Sequence, residues 1–290
     1  MSTESAEQLR VEVVPSANLL ESLSRVYPAP NPVSVTCLPH HGPSRTVEAS
    51  VELAGLGYNV VPHLAARSIA SRAELYTYLE TLAGAGISEL FLVAGDRRGP
   101  AGPYSWSGDL ISDVRMFSSD FAIGIAGYPE GHPRLTPFQL RSGLEKKWTL
   151  ADSMVTQMCF SAEAVARYLD MLSREGVRLP VWIGVPGPVS TKKLLAMGAR
   201  LGVGRSLKLA RGTGMAKALW GRGDFLNFDS NRLMRDMQTK LAHNPMFAGF
   251  HIYSFNDLER LPGILNGFPP MDPPAPRVQR EANLYHPAKT

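Results

Sequence analysis

The sequence has no run of eighteen apolar residues, so no stretch is long enough to cross a bilayer as a helix. Cysteine is scarce. The two present, Cys37 and Cys159, lack metal-ligand spacing, which excludes a disulfide framework and reads as reduced core thiols. A strong charge of either sign is also missing. The 30 Lys and Arg against 26 Asp and Glu leave a net +4, too mild and scattered for nucleic acid but suited to anionic small ligands. Residues 1–8 are polar and acidic with no apolar signal core, so a cytoplasmic protein is expected. What the sequence does have is a hydrophobic fraction of 44%, with 26 glycines and 23 prolines, the composition of a globular chain with many tight connections.

The most informative stretch is Ile123-Gly124-Ile125-Ala126-Gly127-Tyr128-Pro129-Glu130-Gly131-His132-Pro133. A short apolar run breaks into a turn that carries a phenol, a carboxylate and an imidazole within five residues. On its own this is equally a Gly/Pro turn with its polar groups in water. Other apolar runs end the same way, at His63, Asp96, Gln157 and the pair His251 and Tyr253. Polar residues gathered at strand C-termini are what an α/β barrel or open α/β sheet presents at its working face.

Taken in order, residues 10–15 form the first strand, in which Glu12 alternates with valines and points away from them. In a closed barrel one of those two directions is the interior, where a carboxylate needs a partner or a task. Further strands are expected at 33–37, 58–62, 89–93, 123–127, 153–159, 180–185 and 247–253. Helices between them are expected at 16–26, 46–56, 71–86, 107–117, 137–148, 162–175, 191–201, 215–220, 230–243 and 256–265. Ser71 with Glu74 three residues on is a helix-start signal. His40 and His41 are adjacent and have no acid or thiol at ligand spacing, so no metal site is expected. The Gly-rich 202–214 segment reads as a lid or helix junction, from which Arg205, Lys208 or Arg211 could reach a phosphate. Eight strands alternating with helices predict a single (β/α)8 TIM barrel over 1–267, followed by a Pro-rich surface tail over 268–290.

These pieces resemble the methylenetetrahydrofolate reductase family. The resemblance runs from Val11 to Asn256 through Val11-Glu12-Val13-Val14-Pro15, Val33-Ser34-Val35-Thr36, Pro62-His63-Leu64, Gly95-Asp96, Tyr128-Pro129-Glu130-Gly131-His132-Pro133, Thr156-Gln157, Pro186-Gly187 and Gly249 to Asn256. It implies a (β/α)8 barrel that reduces 5,10-methylenetetrahydrofolate to 5-methyltetrahydrofolate with hydride from NADH or NADPH, supplying methyl groups for methionine. Carried over by motif, Glu12 is the general acid, Asp96 a catalytic and pterin-contacting carboxylate, Gln157 a pterin-contacting amide, and Tyr253 a folate contact. Thr36, His63, Tyr128, His132 and Lys146 fall at cofactor positions. A homo-oligomer is compatible with this.

Three departures separate the chain from flavin-using members. Thr36 is followed by Cys37-Leu38-Pro39-His40-His41 in place of a Gly-rich turn, Ala94 stands where an Arg precedes Gly-Asp, and Gln139, Ser142 and Glu145 replace an acid, an amide and an Arg. Glu for Arg beside a diphosphate removes a donor and adds repulsion, and Leu-Pro for glycines fills space a backbone must approach. The expectation is a flavin-independent member with FAD absent. An FAD-dependent reductase with an altered pocket, another tetrahydrofolate enzyme such as a methyl transferase, and a non-catalytic folate-binding barrel are the alternatives.

Overall fold

Residues 9–188 and 229–266 are described by the computed structural model. Eight parallel strands close into a barrel in simple sequence order: β1 (Leu9–Val13), β2 (Pro32–Val35), β3 (Asn59–Ala65), β4 (Glu89–Val93), β5 (Ala122–Gly127), β6 (Ser153–Thr156), β7 (Val181–Pro186) and β8 (Phe247–Tyr253). Among the described residues the outer layer holds α1 (Leu19–Val26), α2 (Gly42–Gly55), α3 (Arg72–Gly84), α4 (Ser107–Phe117), α5 (Pro137–Glu145), α6 (Ala162–Arg174), α7 (Ser230–Leu241) and α8 (Pro262–Leu265). The expected (β/α)8 architecture is the one observed. The expected helices at 191–201 and 215–220, the 202–214 segment and the 268–290 tail lie outside the described residues.

Local chemistry starts the helices where the sequence places caps. Ser71 Oγ accepts from Glu74 N at 3.0 Å, and Thr136 and Gln139 form a complete capping box at the start of α5. Ser161 and Asp229 accept from Ala164 N and Arg232 N at the heads of α6 and α7.

Period-two alternation sorts each strand onto two cores. Leu9, Val11 and Val13 of β1 join the large apolar layer between sheet and helices, together with residues such as Val33, Leu90, Ile123, Ile183 and Phe250. The barrel interior is a separate place with two halves. Val61, Phe91 and Val155, backed by Val93, Ala126 and Trp182, form a distinct apolar cluster on the β3 to β7 side. The β8, β1, β2 and β3 side carries His251, Glu12, Ser34 and His63. One end of the interior is plugged by Arg10, whose guanidinium lies 4.6 Å from the Trp182 ring and 3.0 Å from Glu89.

Several expected boundaries are corrected: β2 and β6 end at Val35 and Thr156, and α5 ends at Glu145, earlier than expected. Two further differences have a clear physical reason. The third strand does not stop at Pro62: it continues to Ala65, with Val35 opposite Pro62 and His63 opposite Phe91. The missing N–H of Pro62 removes a single ladder bond, which strand pairing on both sides tolerates. The last helix does not begin at Asn256. Phe255 and Asn256 adopt φ of 53° and 55°, and a 3₁₀ turn (Leu258–Arg260) precedes the short α8.

The left-handed backbone at Asn256 has a physical reason. Its carboxamide accepts from Val14 N and donates to Val14 O, each at 2.8 Å, so the side chain continues the β1 ladder beyond Val13. Ser254 Oγ donates to Glu12 O at 2.5 Å from the same turn. The seam between first and last strand is therefore fastened by side chains. Asn256→Ala leaves both polar groups of Val14 without these partners and is expected to cost about 1–3 kcal/mol by urea denaturation. Asn256→Asp keeps the acceptor for Val14 N, sets a carboxylate against Val14 O, and should also lose stability. An unchanged denaturation midpoint in both variants would show the seam to be held by the strand ladder alone.

Candidate active site

Glu12 lies on β1 between inward-facing neighbours, paired in register with Ser34 of β2 and Tyr253 of β8. Its carboxyl Oε2 is 3.0 Å from His251 Nε2 and 3.8 Å from His63 Nε2. His63 Nε2 is also 2.7 Å from Ser34 Oγ, which in turn reaches Val61 O at 3.2 Å. Four side chains from β8, β1, β2 and β3 thus form one buried polar chain. The core arginine Arg10, an alternative partner for Glu12, is engaged by Glu89 instead.

Burial decides the protonation of this chain. It pushes the Glu12 carboxyl from the ordinary 4.5 up to about 7, with the nearby His63 pulling the other way. It holds His63 down to about 4 against the opposing pull of Glu12, and His251 down to about 3, with the Arg10 cation acting in the lowering direction on both. At neutral pH both imidazoles are neutral and Glu12 exchanges a proton. A carboxyl in that state can hold a proton and release it in a reaction.

Toward the C-terminal ends of the strands, Tyr253 OH donates to Thr156 O at 3.0 Å, and its ring packs edge-on against His251 at 4.9 Å. Gly184 makes room for it, since a Cβ there would stand 2.7 Å from Tyr253 Cε2 and 2.5 Å from Thr156 O. Gln157 follows β6, with its Oε1 accepting from Met158 N. Thr36, just past β2, is buried, and its Oγ1 has no hydrogen-bond partner among the described residues.

A second group sits on the rim. Asp96 is 70% exposed and meets Arg134 at 3.4 Å, linking the loops after β4 and β5. His132 Nδ1 accepts from Arg134 N and Leu135 N, each at 3.2 Å, so its hydrogen is on Nε2. The His132 ring stands edge-on to Tyr128 at 5.1 Å. Burial, then Asp96, raises the Tyr128 phenol, and burial, then Arg134, lowers His132. Lys146 lines a cavity of about 370 Å³ with Trp106, Phe138, Gln139, Ser142 and Gly143.

Most candidate residues fall into two places. Glu12 and His63 meet inside the barrel, with Tyr253 against their cluster, while Asp96, Tyr128 and His132 meet at the rim; Lys146 caps the C-terminal end of α5, and Thr36 and Gln157 directly follow β2 and β6. His63, placed by motif with the cofactor positions, is grouped by the structure with Glu12. Sequence reasoning named His251 among the polar strand ends and Ser34 within a matching motif but gave neither a role, although His251 is two residues before Tyr253 in an alternating strand and so shares its face. Glu130 turns inward to accept from Phe160 N and Ser161 N at 2.6 and 2.7 Å, joining the loop after β5 to the start of α6. Among the described residues no group of His, Cys, Asp or Glu is arranged to hold a metal, and no helix is long and apolar enough to cross a membrane.

Residues 12–204, about two thirds of the chain, match the family described as Methylenetetrahydrofolate reductase. The Saccharomyces cerevisiae protein named methylenetetrahydrofolate reductase 2 is 24% identical over 84% of this chain and 43% of its own length, so the chain spans less than half of that relative. The 5,10-methylenetetrahydrofolate reductase of Pectobacterium carotovorum is 27% identical over 70% of this chain and 67% of its own. Among solved structures, an uncharacterised Clostridium thermocellum protein that binds two copies of 5-methyl-5,6,7,8-tetrahydrofolic acid has the same fold. It superposes with a TM-score of 0.62 at 13% identity, over 90% of this chain and 94% of that one.

The buried chain makes stability depend on pH in a definite sense. With its pKa raised, folded Glu12 keeps a proton between about 4.5 and about 7 that the unfolded chain has lost, so its contribution falls as pH rises through that window. His63 and His251, with pKa values lowered from 6.5, contribute stability that grows as pH rises toward 6.5. Glu12→Gln removes the first effect and also the carboxylate that pulls the His63 pKa up, so the His63 contribution persists. Relative to the parent, the variant should gain roughly 2–3 kcal/mol on going from about pH 4 to about pH 8, read by urea denaturation. A difference that does not change with pH would mean Glu12 ionises freely in the folded protein.

Proposed function

Since the chain belongs to the methylenetetrahydrofolate reductase family, we propose that it reduces 5,10-methylenetetrahydrofolate to 5-methyltetrahydrofolate with a reduced pyridine nucleotide. The observation that carries this is a buried carboxyl, Glu12, whose proton is available near neutral pH at the centre of a barrel of that family. The 5-methyltetrahydrofolate named for the Clostridium thermocellum barrel is the product of this reaction.

The substrate's five-membered ring joins N5 and N10 through one carbon and must open before that carbon can accept hydride. Glu12 protonates N10, which turns it into a leaving group and generates a 5-iminium cation. Asp96, at the head of the β4 loop, supplies a negative charge toward that cation, and Gln157 and Tyr253 hold the pterin edge. The pyridine nucleotide, when bound, supplies the hydride. Thr36, Tyr128, His132 and Lys146 are the groups proposed to hold it, while His63, bonded to Ser34 and facing Glu12, belongs with the acid. The partnerless buried hydroxyl of Thr36 fits a ligand in that place.

A resident flavin fits poorly. At the head of α2 the amides of His41 and Gly42 both close on Leu38 O, at 3.1 and 3.0 Å, and Pro43 has no amide, so the turn offers a diphosphate little. On α5, Gln139 is engaged in the helix cap, and Arg141 is paired with Glu145 and Glu175. Hydride is therefore proposed to pass directly from nucleotide to folate, in a ternary complex with the reacting atoms about 3–3.5 Å apart.

Two experiments test these proposals. Glu12→Gln should fold and bind folate but lose about 10²- to 10⁴-fold in turnover, the usual worth of a general acid. Near-normal turnover would remove Glu12 from the chemistry. For direct transfer, the purified protein should be colourless in the visible, gain no activity from added FAD, and give intersecting lines in two-substrate kinetics with NADH and methylenetetrahydrofolate. Parallel lines, or activity that appears only with FAD, would establish the flavin-dependent alternative.

A further inference from the structure

The two oxygens of Glu12 are not equivalent. Oε2 faces both imidazoles, His251 Nε2 at 3.0 Å and His63 Nε2 at 3.8 Å, whereas Oε1 has no hydrogen bond or ion pair among the described residues. His251 is completely buried, and its Nδ1 has no partner among the described residues. A neutral imidazole carries one N–H, and its position decides what Oε2 meets. With the hydrogen on Nδ1, a buried donor is left unpaired, and an ionised Glu12 faces a lone pair at 3.0 Å. With the hydrogen on Nε2, Oε2 accepts a bond whether Glu12 is ionised or protonated, and the carboxyl proton is left to Oε1.

Taking Glu12 as the acid proposed above, we infer that His251 is the positioning residue of the reaction: its Nε2–H holds Oε2 and so reserves Oε1 as the oxygen that delivers the proton. On transfer the Oε1–H bond breaks and an N10–H bond forms on the folate. The carboxylate left behind keeps a charge-assisted hydrogen bond from His251. No movement of the imidazole is needed, because the same tautomer serves both states. The titratable and charged groups around Glu12 are Arg10 on its own strand, His63 on β3, and His251 and Tyr253 on β8. Arg10 is tied to Glu89, and Tyr253 is kept as a neutral phenol by burial and by Glu12. Ser34 on β2 completes the ring by bonding His63.

The test uses the full chain with His251→Phe, which removes the donor, and His251→Gln, whose side-chain N–H reaches the same place as Nε2 and gives up nothing at the partnerless Nδ1. In the parent, kcat/KM should fall as pH rises through the Glu12 titration near 7. In His251→Phe that limb should move up by about 1–2 pH units, since a hydrogen bond to the charged form is lost. On the acid plateau kcat should drop roughly 10- to 100-fold, with KM for methylenetetrahydrofolate little changed, because the proton is no longer confined to one oxygen. His251→Gln should restore both. Carbon-13 NMR of labelled glutamate, without substrate, should show the Glu12 carboxyl titrating at higher pH in His251→Phe and near the parent value in His251→Gln. If His251→Phe does not fold, His251→Asn, whose amide falls short of Oε2, takes its place. An unmoved limb and carboxyl titration, or a Gln variant that behaves like Phe, would overturn the inference. The NMR titration is independent of turnover, so an active Glu12→Gln enzyme would sink the acid role without being mistaken for failure of the His251 contact.

Discussion

An ionisable carboxyl placed inside a closed parallel barrel has little water to stabilise its charge, and much of this molecule's interior is arranged around that constraint. Glu12 is accommodated because three polar neighbours, His251, Ser34 and His63, come from adjacent strands on one side of the barrel, while Val61, Phe91, Val155 and Trp182 fill the other side with apolar volume. The imidazoles are themselves too buried to charge, so they act as neutral dipoles and leave the proton with the acid. A cationic partner such as Arg10 in direct contact would favour the carboxylate and empty Glu12 of its proton at neutral pH. The Glu89 pair and the Trp182 ring keep that guanidinium occupied at one end of the barrel.

The same two strands that carry Glu12 and His251 form the closing seam. Ser254 bonds the Glu12 carbonyl, and Asn256 pairs with both backbone groups of Val14, so the turn after β8 and the exit of β1 are held by side chains immediately beside the acid. Fixing the backbone on either side of a 3.0 Å contact limits how far Glu12 and His251 can drift from each other. Packing here serves geometry as well as stability: Gly184 admits the Tyr253 ring against Thr156, and that ring borders His251.

Interior and rim are built by different rules. The interior group stands on strands, where register dictates which side chains share a level. The rim group stands on loops, where Asp96 and Arg134 join across two connections and His132 is oriented by two backbone amides. Glu130 shows how a loop acid that looks chemical in sequence can be structural, since its carboxylate is taken up by the amides at the start of α6.

Much of the fold was legible in the chain itself, because hydrophobic period and helix caps are local properties. β4 (Glu89–Val93), α4 (Ser107–Phe117) and β8 (Phe247–Tyr253) begin and end where composition alone places them, and Ser71 caps α3 as its spacing with Glu74 predicts. That Glu12 faces away from its valine neighbours was likewise readable from the alternation, but that its side is the interior was decided by the closed barrel, which sets it against His251 and His63. Where local signals misled, at Pro62 and Asn256, the deciding contacts lie elsewhere in the chain: strands on both sides carry β3 through its proline, and Val14, 242 residues away in sequence, draws Asn256 out of a helix. The partnership of Glu12 with His251 was not legible, for the same reason. A strand's sequence states which residues share a face, but only barrel closure, which sets β8 against β1 in a fixed register, determines that the carboxyl meets an imidazole and through which oxygen.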